Sequence, residues 1–376
     1  MKNGPGNIRI PSYRPLYGRD EALMVARAVE GGWITSDGPF VRAFEQRFSR
    51  YVGGRFGIAT TNGTAALHVA LVALNVGPGD EVILPDATMV ACLDAVLYTG
   101  ARPVLVDVDP ATWTIDPTSV EGAITSRTRA IMPVHLYGHP AEMDRLRELG
   151  RKHGVAIVED AAEAHGSEFR GEKVGALGDV GCFSFYANKI LSTGEGGMVV
   201  TRSAKLAQRA NRLRELAYAT PTRNYRHTEV GFNYRLTDVQ AAIGLAQLKK
   251  LRSFVHHRRE CAALYSEELN GIEGITPQAE APWARSAYWA FTVLLSGGPA
   301  RRARLQRHLM RHGVASRVAF WPLHKQPFAP RKYRGSRRFP TADRIGDEGL
   351  SLPFGNGIAA STVQRVASLV RSGMRR

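Results

Sequence analysis

Short apolar runs alternate with helical patterns over the first 250 residues of the chain. Apolar runs of strand length occupy 56–59, 81–85, 103–107, 130–134 and 155–159. Apolar residues at helical spacing occupy 65–74, 89–98 and 141–153. Alternation of strand and helix at this spacing predicts an α/β fold, with a mainly parallel sheet covered by helices on both faces.

The pattern becomes helical near residue 237. Residues 238–251 carry apolar positions at helical spacing, and we expect 252–270 to continue as a bridge to a second domain. A strand at 290–295 and helices near 300–312 and 360–372 predict a smaller α+β unit. We therefore predict a large domain over 1–250 and a small C-terminal domain over 251–376.

The chain has 376 residues, of which 44% are hydrophobic, so it can bury a full core and is not intrinsically disordered. Its formal charge is +16. Residues 301–376 hold 17 Lys and Arg against 3 Asp and Glu, a net charge of +14. Such a balance suggests an anionic ligand or nucleic acid as partner, but the excess is local to the C-terminal fifth. Most of it, including the basic loop 331–338, fits a solvated surface.

Three cysteines, Cys92, Cys182 and Cys261, are scattered along the chain. Their spacing matches neither a disulfide framework nor a zinc site, which favours a reducing compartment. No secretory signal is visible at the N-terminus, and no window reaches the ~18 apolar residues of a membrane span. We expect a cytoplasmic protein without membrane contact.

Ligands bind sheets of this kind beyond the carboxyl ends of the strands. After the strand at 56–59, Gly63 and Thr64 stand where a helix begins, and free N–H groups there suit a phosphate. The alternative is an ordinary helix cap by Asn62 or Thr64.

Three further side chains follow or end predicted strands. Asp160 could hold a cationic ring nitrogen or could serve as a cap or ion-pair partner. Lys189, beside a Gly-rich turn, could be a desolvated, imine-forming amine or a solvated surface lysine. Ser184 could bind phosphate or be a strand hydroxyl. An anion site, a carboxylate and a lysine together are what pyridoxal 5′-phosphate (PLP) requires.

The chain resembles the sugar-nucleotide aminotransferases of the DegT/StrS type, which are fold-type I PLP enzymes, over nearly its whole length. The motifs that carry the resemblance lie at 38–45, 62–64, 100–103, 132–138, 159–162, 184–197, 231–235, 321–324 and 352–353. The resemblance implies a seven-stranded type of sheet, L-glutamate as amino donor, pyridoxamine 5′-phosphate as the alternate cofactor form, and a homodimer with shared active sites.

The resemblance also implies residue roles. Lys189 would hold the cofactor as a Schiff base and shuttle the proton, Asp160 would pair with the pyridine nitrogen, and Glu163 would lie near the 3′-oxygen. The phosphate would be held by Gly63, Thr64, Ser184 and the partner subunit's Asn233.

Two positions depart from the family pattern. Met89 stands where many members have an aromatic residue that stacks on the pyridine ring, and a thioether can pack on a ring face. Glu163 stands where many relatives have Gln, so either its carboxyl carries a proton or the imine has different electronics. Relatives with His at the position of Lys189 are dehydratases, so Lys189 favours transamination.

Other polar residues are weaker candidates. His324, Tyr186 and Arg317 are candidate substrate contacts, although His324 could instead cap a Trp-Pro turn and Tyr186 could be a core residue, as could His135. His308 and His312 have the spacing of metal ligands, but a third ligand is missing and arginines are near, so we expect no metal.

These observations predict transfer of an amino group from L-glutamate to a keto-sugar nucleotide. Overall similarity and Glu163 favour C4 of GDP-4-keto-6-deoxymannose. One alternative is amination at C3 or C4 of a dTDP- or UDP-linked keto-sugar. An alternative of another class is a catalytically inactive DNA-binding regulator, for which no added helix-turn-helix segment is visible; we therefore expect no nucleic acid partner.

Overall fold

The computed structural model describes residues 8–219, 225–329, 333 and 337–375. Its helices are α1 (Arg19–Glu30), α2 (Pro39–Tyr51), α3 (Gly63–Ala73), α4 (Ala91–Tyr98), α5 (Pro117–Glu121), α6 (Met143–His153), α7 (Ala204–Arg214), α8 (Asp238–Leu269), α9 (Gly298–Arg311), α10 (Pro340–Glu348) and α11 (Ala360–Met374). Short 3₁₀ helices cover Leu136–Gly138 and Leu323–Lys325. Most of the predicted loop 331–338 lies outside the described residues.

The strands are β1 (Phe56–Thr60), β2 (Glu81–Pro85), β3 (Arg102–Val106), β4 (Thr128–Ile131), β5 (Ala156–Asp160), β6 (Glu168–Phe169), β7 (Glu172–Lys173), β8 (Val180–Ser184), β9 (Gly197–Thr201), β10 (Ile275–Pro277), β11 (Ala284–Arg285), β12 (Phe291–Leu295), β13 (Arg317–Val318) and β14 (Gly349–Leu352). Every predicted strand is present, with bounds that differ by a few residues.

The central sheet has seven strands in the order β1-β9-β8-β5-β4-β2-β3. All neighbours pair in parallel except those of β9, which runs antiparallel to β1 and β8. Strands β2, β8 and β9 are buried along their whole length because helices cover both faces. The predicted mainly parallel seven-stranded sheet is confirmed.

The C-terminal part forms a second layer. Strands β10, β12, β14 and β13 make an antiparallel sheet that packs with α9, α10 and α11, and β11, β6 and β7 make a small third sheet. The 32-residue helix α8 begins at a capping box of Thr237 and Gln240. It packs on α1 and α2 and then on α11, so it spans the domain boundary that we predict at residue 250. That boundary stays a prediction.

In the described part of the chain, every helix is too short or too polar to cross a membrane.

Candidate functional site

The ends of two strands bring Gly63, Thr64 and Ser184 of the predicted phosphate site together. Ser184 ends β8, and the turn after β1 leads into α3 at Gly63. A Cβ atom on Gly63 would lie 2.8 Å from Cβ of Ser184 and 3.3 Å from its Oγ, so only glycine fits here. Asn62 caps α3 by accepting a hydrogen bond from the backbone N–H of Ala65. This cap leaves the first N–H groups of the helix, at Gly63 and Thr64, directed beyond the helix end. The cap and the anion site are therefore compatible.

Asp160 ends β5 and is buried at the same sheet edge. Its Oδ1 accepts a hydrogen bond from the Ala162 amide at 2.9 Å. Its Oδ2 accepts one from the Cys92 thiol, also at 2.9 Å. Burial, and then the charge of Asp160, raise the pKa of the Cys92 thiol well above its ordinary value. The thiol therefore stays protonated and donates to the carboxylate.

Lys189 lies on the loop after β8, with 12% of its side chain exposed. Its Nζ is 3.4 Å from Oε1 of Glu163 and 4.4 Å from the centre of the Trp289 ring. The other carboxyl oxygen of Glu163 accepts a hydrogen bond from the Tyr137 amide at 2.9 Å. Burial raises the pKa of Glu163, and the Lys189 charge offsets part of the rise. The predicted amine is therefore shielded from solvent and paired with a carboxyl group.

An aromatic stack forms the wall beside Lys189. The rings of Tyr137 and Trp289 are nearly parallel, at 12° and 6.2 Å, and Phe320 stacks on both. Tyr137 has a positive φ of 57°, which turns its amide toward Glu163. Its carbonyl accepts a hydrogen bond from the Trp289 amide. This wall therefore joins the central sheet to the C-terminal part of the chain.

His324 lies between two carboxylates. Its Nδ1 is 2.6 Å from Oδ2 of Asp86, and its Nε2 is 3.4 Å from Oδ1 of Asp343. Its amide also donates to Asp86. Because the ring and the amide of His324 both bind Asp86, the geometry favours a structural role for His324, and a substrate contact stays a prediction.

The other candidate substrate and cofactor residues lie at the surface of the chain. Met89, Tyr186, Arg317 and Asn233 are exposed. The Arg317 Nε donates to the Ser12 hydroxyl at 3.0 Å, and its guanidinium lies over the Tyr13 ring. A cavity of about 120 Å³ is lined by Arg317 together with Asn188, Trp289 and Arg258. Arg317 thus shares a cavity with the residue that precedes Lys189, and the roles of all four residues stay predictions.

His135 is fully buried and belongs to the core. Its Nε2 lies 3.0 Å from Oε2 of Glu159, and its Nδ1 accepts a hydrogen bond from the Ala141 amide. The sequence left His135 open between a core role and a substrate contact, and this burial favours the core.

Sequence reasoning missed four residues that surround Lys189: Arg258, Tyr137, Trp289 and Asn356. A signal for Arg258 was present in the apolar stripe of α8, whose buried residues include Val255, Cys261, Ala262 and Tyr265. Arg258 falls in register with them, and an arginine in such a stripe is unusual. The other three residues carry no comparable signal, because separate loops bring them to the site.

The fold and the site define the class of protein. PLP requires a reactive amine, a carboxylate for its ring nitrogen and an anion cradle, and all three lie at one edge of the sheet. This arrangement is the one that a PLP-dependent enzyme needs.

Comparison with known proteins agrees with this class. The model of the DegT/DnrJ/EryC1/StrS aminotransferase family matches residues 15–371. The chain belongs to this family and is a PLP-dependent sugar-nucleotide aminotransferase.

Three relatives illustrate the similarity. The chain is 41% identical over 360 residues to GDP-perosamine synthase of Caulobacter vibrioides, covering 95% of this chain and 96% of the relative. It is 39% identical to dTDP-3-amino-3,4,6-trideoxy-alpha-D-glucose transaminase of Streptomyces venezuelae, covering 96% of this chain and 93% of the relative. The solved structure of S. venezuelae DesV in complex with a ketimine intermediate matches with a TM-score of 0.90 at 39% identity, covering 95% of this chain and 94% of that chain.

The residues of this structure fit the cofactor. The missing side chain of Gly63 leaves room beside the Ser184 hydroxyl at a helix N-terminus, which suits a phosphate. The Asp160 carboxylate is buried, so a cationic ring nitrogen there would have a counter-charge. Lys189 is the shielded amine of the same pocket.

Proposed function

We propose that the protein transfers an amino group from L-glutamate to C4 of GDP-4-keto-6-deoxymannose, the reaction of a GDP-perosamine synthase. The observation that carries the proposal is the 41% identity to the Caulobacter vibrioides enzyme over nearly the full length of both chains. Arg317 supports it, because an exposed guanidinium at a cavity beside the Lys189 loop suits an anionic substrate.

Lys189 would hold the cofactor and then act as general acid and base. The cofactor, when bound, supplies an aldehyde that condenses with amines and a ring that accepts electron density. Once released from the cofactor, the Lys189 amine would act as general acid and base and move a proton between the substrate carbon and the cofactor's C4′ carbon. Glu163 is 3.4 Å from this amine and would orient it.

The remaining residues would bind and hold charge. Asp160 would keep the ring nitrogen protonated, because its buried carboxylate is a strong counter-charge. Gly63, Thr64 and Ser184 would hold the phosphate, and Met89 would pack on the ring face. We further propose a cytoplasmic homodimer in which the partner subunit's Asn233 completes the phosphate site, since Asn233 is exposed on a single chain.

A substrate panel tests the proposal. The purified protein is incubated with L-glutamate and GDP-, dTDP- or UDP-linked 3-keto and 4-keto sugars, and product masses are read. Product from GDP-4-keto-6-deoxymannose alone is expected. Amination of a dTDP sugar instead would overturn the GDP assignment and favour the alternative that the Streptomyces venezuelae relative supports. Lys189→Ala should lose the visible absorption band of the bound cofactor and all turnover, while Lys173→Ala, which removes a lysine in a partly exposed ion pair, should keep both.

A further inference from the structure

The backbone carbonyls of the residues before and after Lys189 are bound by side chains from the C-terminal part of the chain. The carbonyl of Asn188 accepts a hydrogen bond from Nε1 of Trp289 at 2.8 Å. The carbonyl of Ile190 accepts one from Nδ2 of Asn356, also at 2.8 Å. Lys189 is therefore fixed on both sides along its backbone.

A single buried residue binds both Trp289 and Asn356. Arg258 is 2% exposed, and its Nε donates to Oδ1 of Asn356. Its Nη1 donates to the carbonyl of Trp289 at 2.9 Å and to that of Tyr288 at 3.0 Å. The planar guanidinium offers several donors in fixed directions, so one arginine can bind three oxygens that a lysine ammonium could not reach together.

The charged guanidinium of Arg258 binds uncharged groups. Within the described residues, all hydrogen bonds of Arg258 go to amide oxygens. Its guanidinium also lies over the Phe354 ring at 5.4 Å. Burial lowers the pKa of Arg258 to about 9, which leaves it charged at neutral pH. Among the described residues Arg258 forms no ion pair with an acidic side chain, and burying a cation in this way is costly.

Trp289 also contacts the side-chain amine of Lys189. Its ring lies 4.4 Å from Nζ of Lys189, and its backbone carbonyl is one of the oxygens that Arg258 binds. The same indole thus contacts the amine and binds the preceding peptide group. A shift of Arg258 would therefore move both the backbone and the amine of Lys189.

We propose that Arg258 is a positioning residue for Lys189, acting through Trp289 and Asn356 on the backbone carbonyls of the residues before and after it. Small errors in the placement of a catalytic group slow a reaction more than they weaken binding. We therefore expect loss of Arg258 to lower the rate of steps at the Lys189 amine and to leave ligand affinity nearly unchanged. The inference rests on Lys189 being the cofactor lysine, as proposed above, but not on the identity of the sugar.

The test measures capture of PLP by the full-length apoprotein, followed as the growth of its visible band. Arg258→Lys, Asn356→Ala and Trp289→Phe each remove part of the network, and Trp289→Phe keeps an aromatic ring while losing the N–H donor. At saturating PLP, each variant should form the band at least ten times more slowly than the wild type, with the half-saturating PLP concentration within about threefold. The single-turnover rate with L-glutamate should fall in parallel.

Two comparisons separate positioning from general destabilisation. Arg259→Lys alters the neighbouring arginine, which binds Glu280 and the Ser286 carbonyl, and should leave the capture rate unchanged. The double variant Arg258→Lys/Asn356→Ala should be no slower than the worse single variant, because both act along one path. Wild-type capture rates in Trp289→Phe and Asn356→Ala, or equal loss in Arg259→Lys, would overturn the proposal even if Arg258→Lys failed to fold. Failure of the sugar panel alone would leave the capture result intact.

Discussion

The Lys189 amine lies 3.4 Å from the Glu163 carboxyl, in a pocket where both side chains are nearly hidden from solvent. The Tyr137 amide binds the second oxygen of Glu163, so the carboxyl is held in place from both sides. Because the two groups are in contact, the protonation of the Glu163 carboxyl affects the Lys189 amine, on which the reaction depends. The pH response of the enzyme should report this coupling.

Glu163→Gln should change the acid side of the pH profile. Burial raises the pKa of Glu163, so in the wild type the carboxyl gains a proton at a higher pH than a solvated glutamate does. As pH falls through this raised pKa, the charge that pairs with Lys189 is lost and kcat/KM should decline. The amide cannot titrate, so the variant should lack this decline. The measurement is kcat/KM against pH.

Glu168→Gln is the matched control for this prediction. Glu168 also pairs with a lysine, Lys173, at 2.9 Å, but it lies on β6 and is partly exposed. Its variant should keep the wild-type profile. An unchanged acid limb in Glu163→Gln would show that another group governs it.

Gly63→Ala should weaken cofactor binding by about tenfold or more, equivalent to about 1.4 kcal/mol. The new Cβ would lie 2.8 Å from that of Ser184 and would push apart the two elements that form the phosphate cradle. Equilibrium titration of apoprotein with PLP checks this. Gly77→Ala is the control, because a Cβ there meets nothing within 4 Å. Equal affinity in the two variants would contradict a phosphate site at Gly63.

His324→Ala should destabilise the fold by about 1–3 kcal/mol, the scale expected when a buried acceptor loses its hydrogen-bond partner. Burial raises the pKa of Asp86, and hydrogen bonds from His324 oppose the rise. Without His324 the fully buried Asp86 loses its ring partner. Urea unfolding measures the loss, and His312→Ala, an exposed histidine, serves as control. A change below about 0.5 kcal/mol would mean that the pair contributes little.

Glu159 should make stability sensitive to acid. Burial pushes its pKa up, but hydrogen bonds from His135, Gly178 and Gly175 hold the pKa below its ordinary value. The stabilisation is therefore present above the unfolded pKa of about 4.3 and is lost as pH falls through the folded pKa. Glu159→Gln should be less stable at neutral pH and show a smaller further loss on acidification. Unfolding free energies at several pH values test this, and a constant difference from the wild type would contradict it.

Much of the architecture could be read from the sequence, because buried strands and helices carry period-specific apolar patterns. Helix α8 and the strands of the central sheet follow such patterns. Asp160, Ser184 and Gly63 could be singled out because they follow or end strands, where a parallel sheet directs ligands. Arg258 could only have been noticed as a polar residue in an apolar stripe, without any indication of what it binds.

The sequence by itself determined the order of elements, the cofactor class and the residues at the strand ends, since these depend on local periodicity and on the direction of parallel strands. Only the tertiary structure decided which distant groups meet: Cys92 with Asp160, Glu163 with Lys189, and Arg258 with Trp289 and Asn356. Local patterns cannot specify such contacts. They depend on how loops from the C-terminal part pack over the sheet edge and on which buried polar groups remain to be paired.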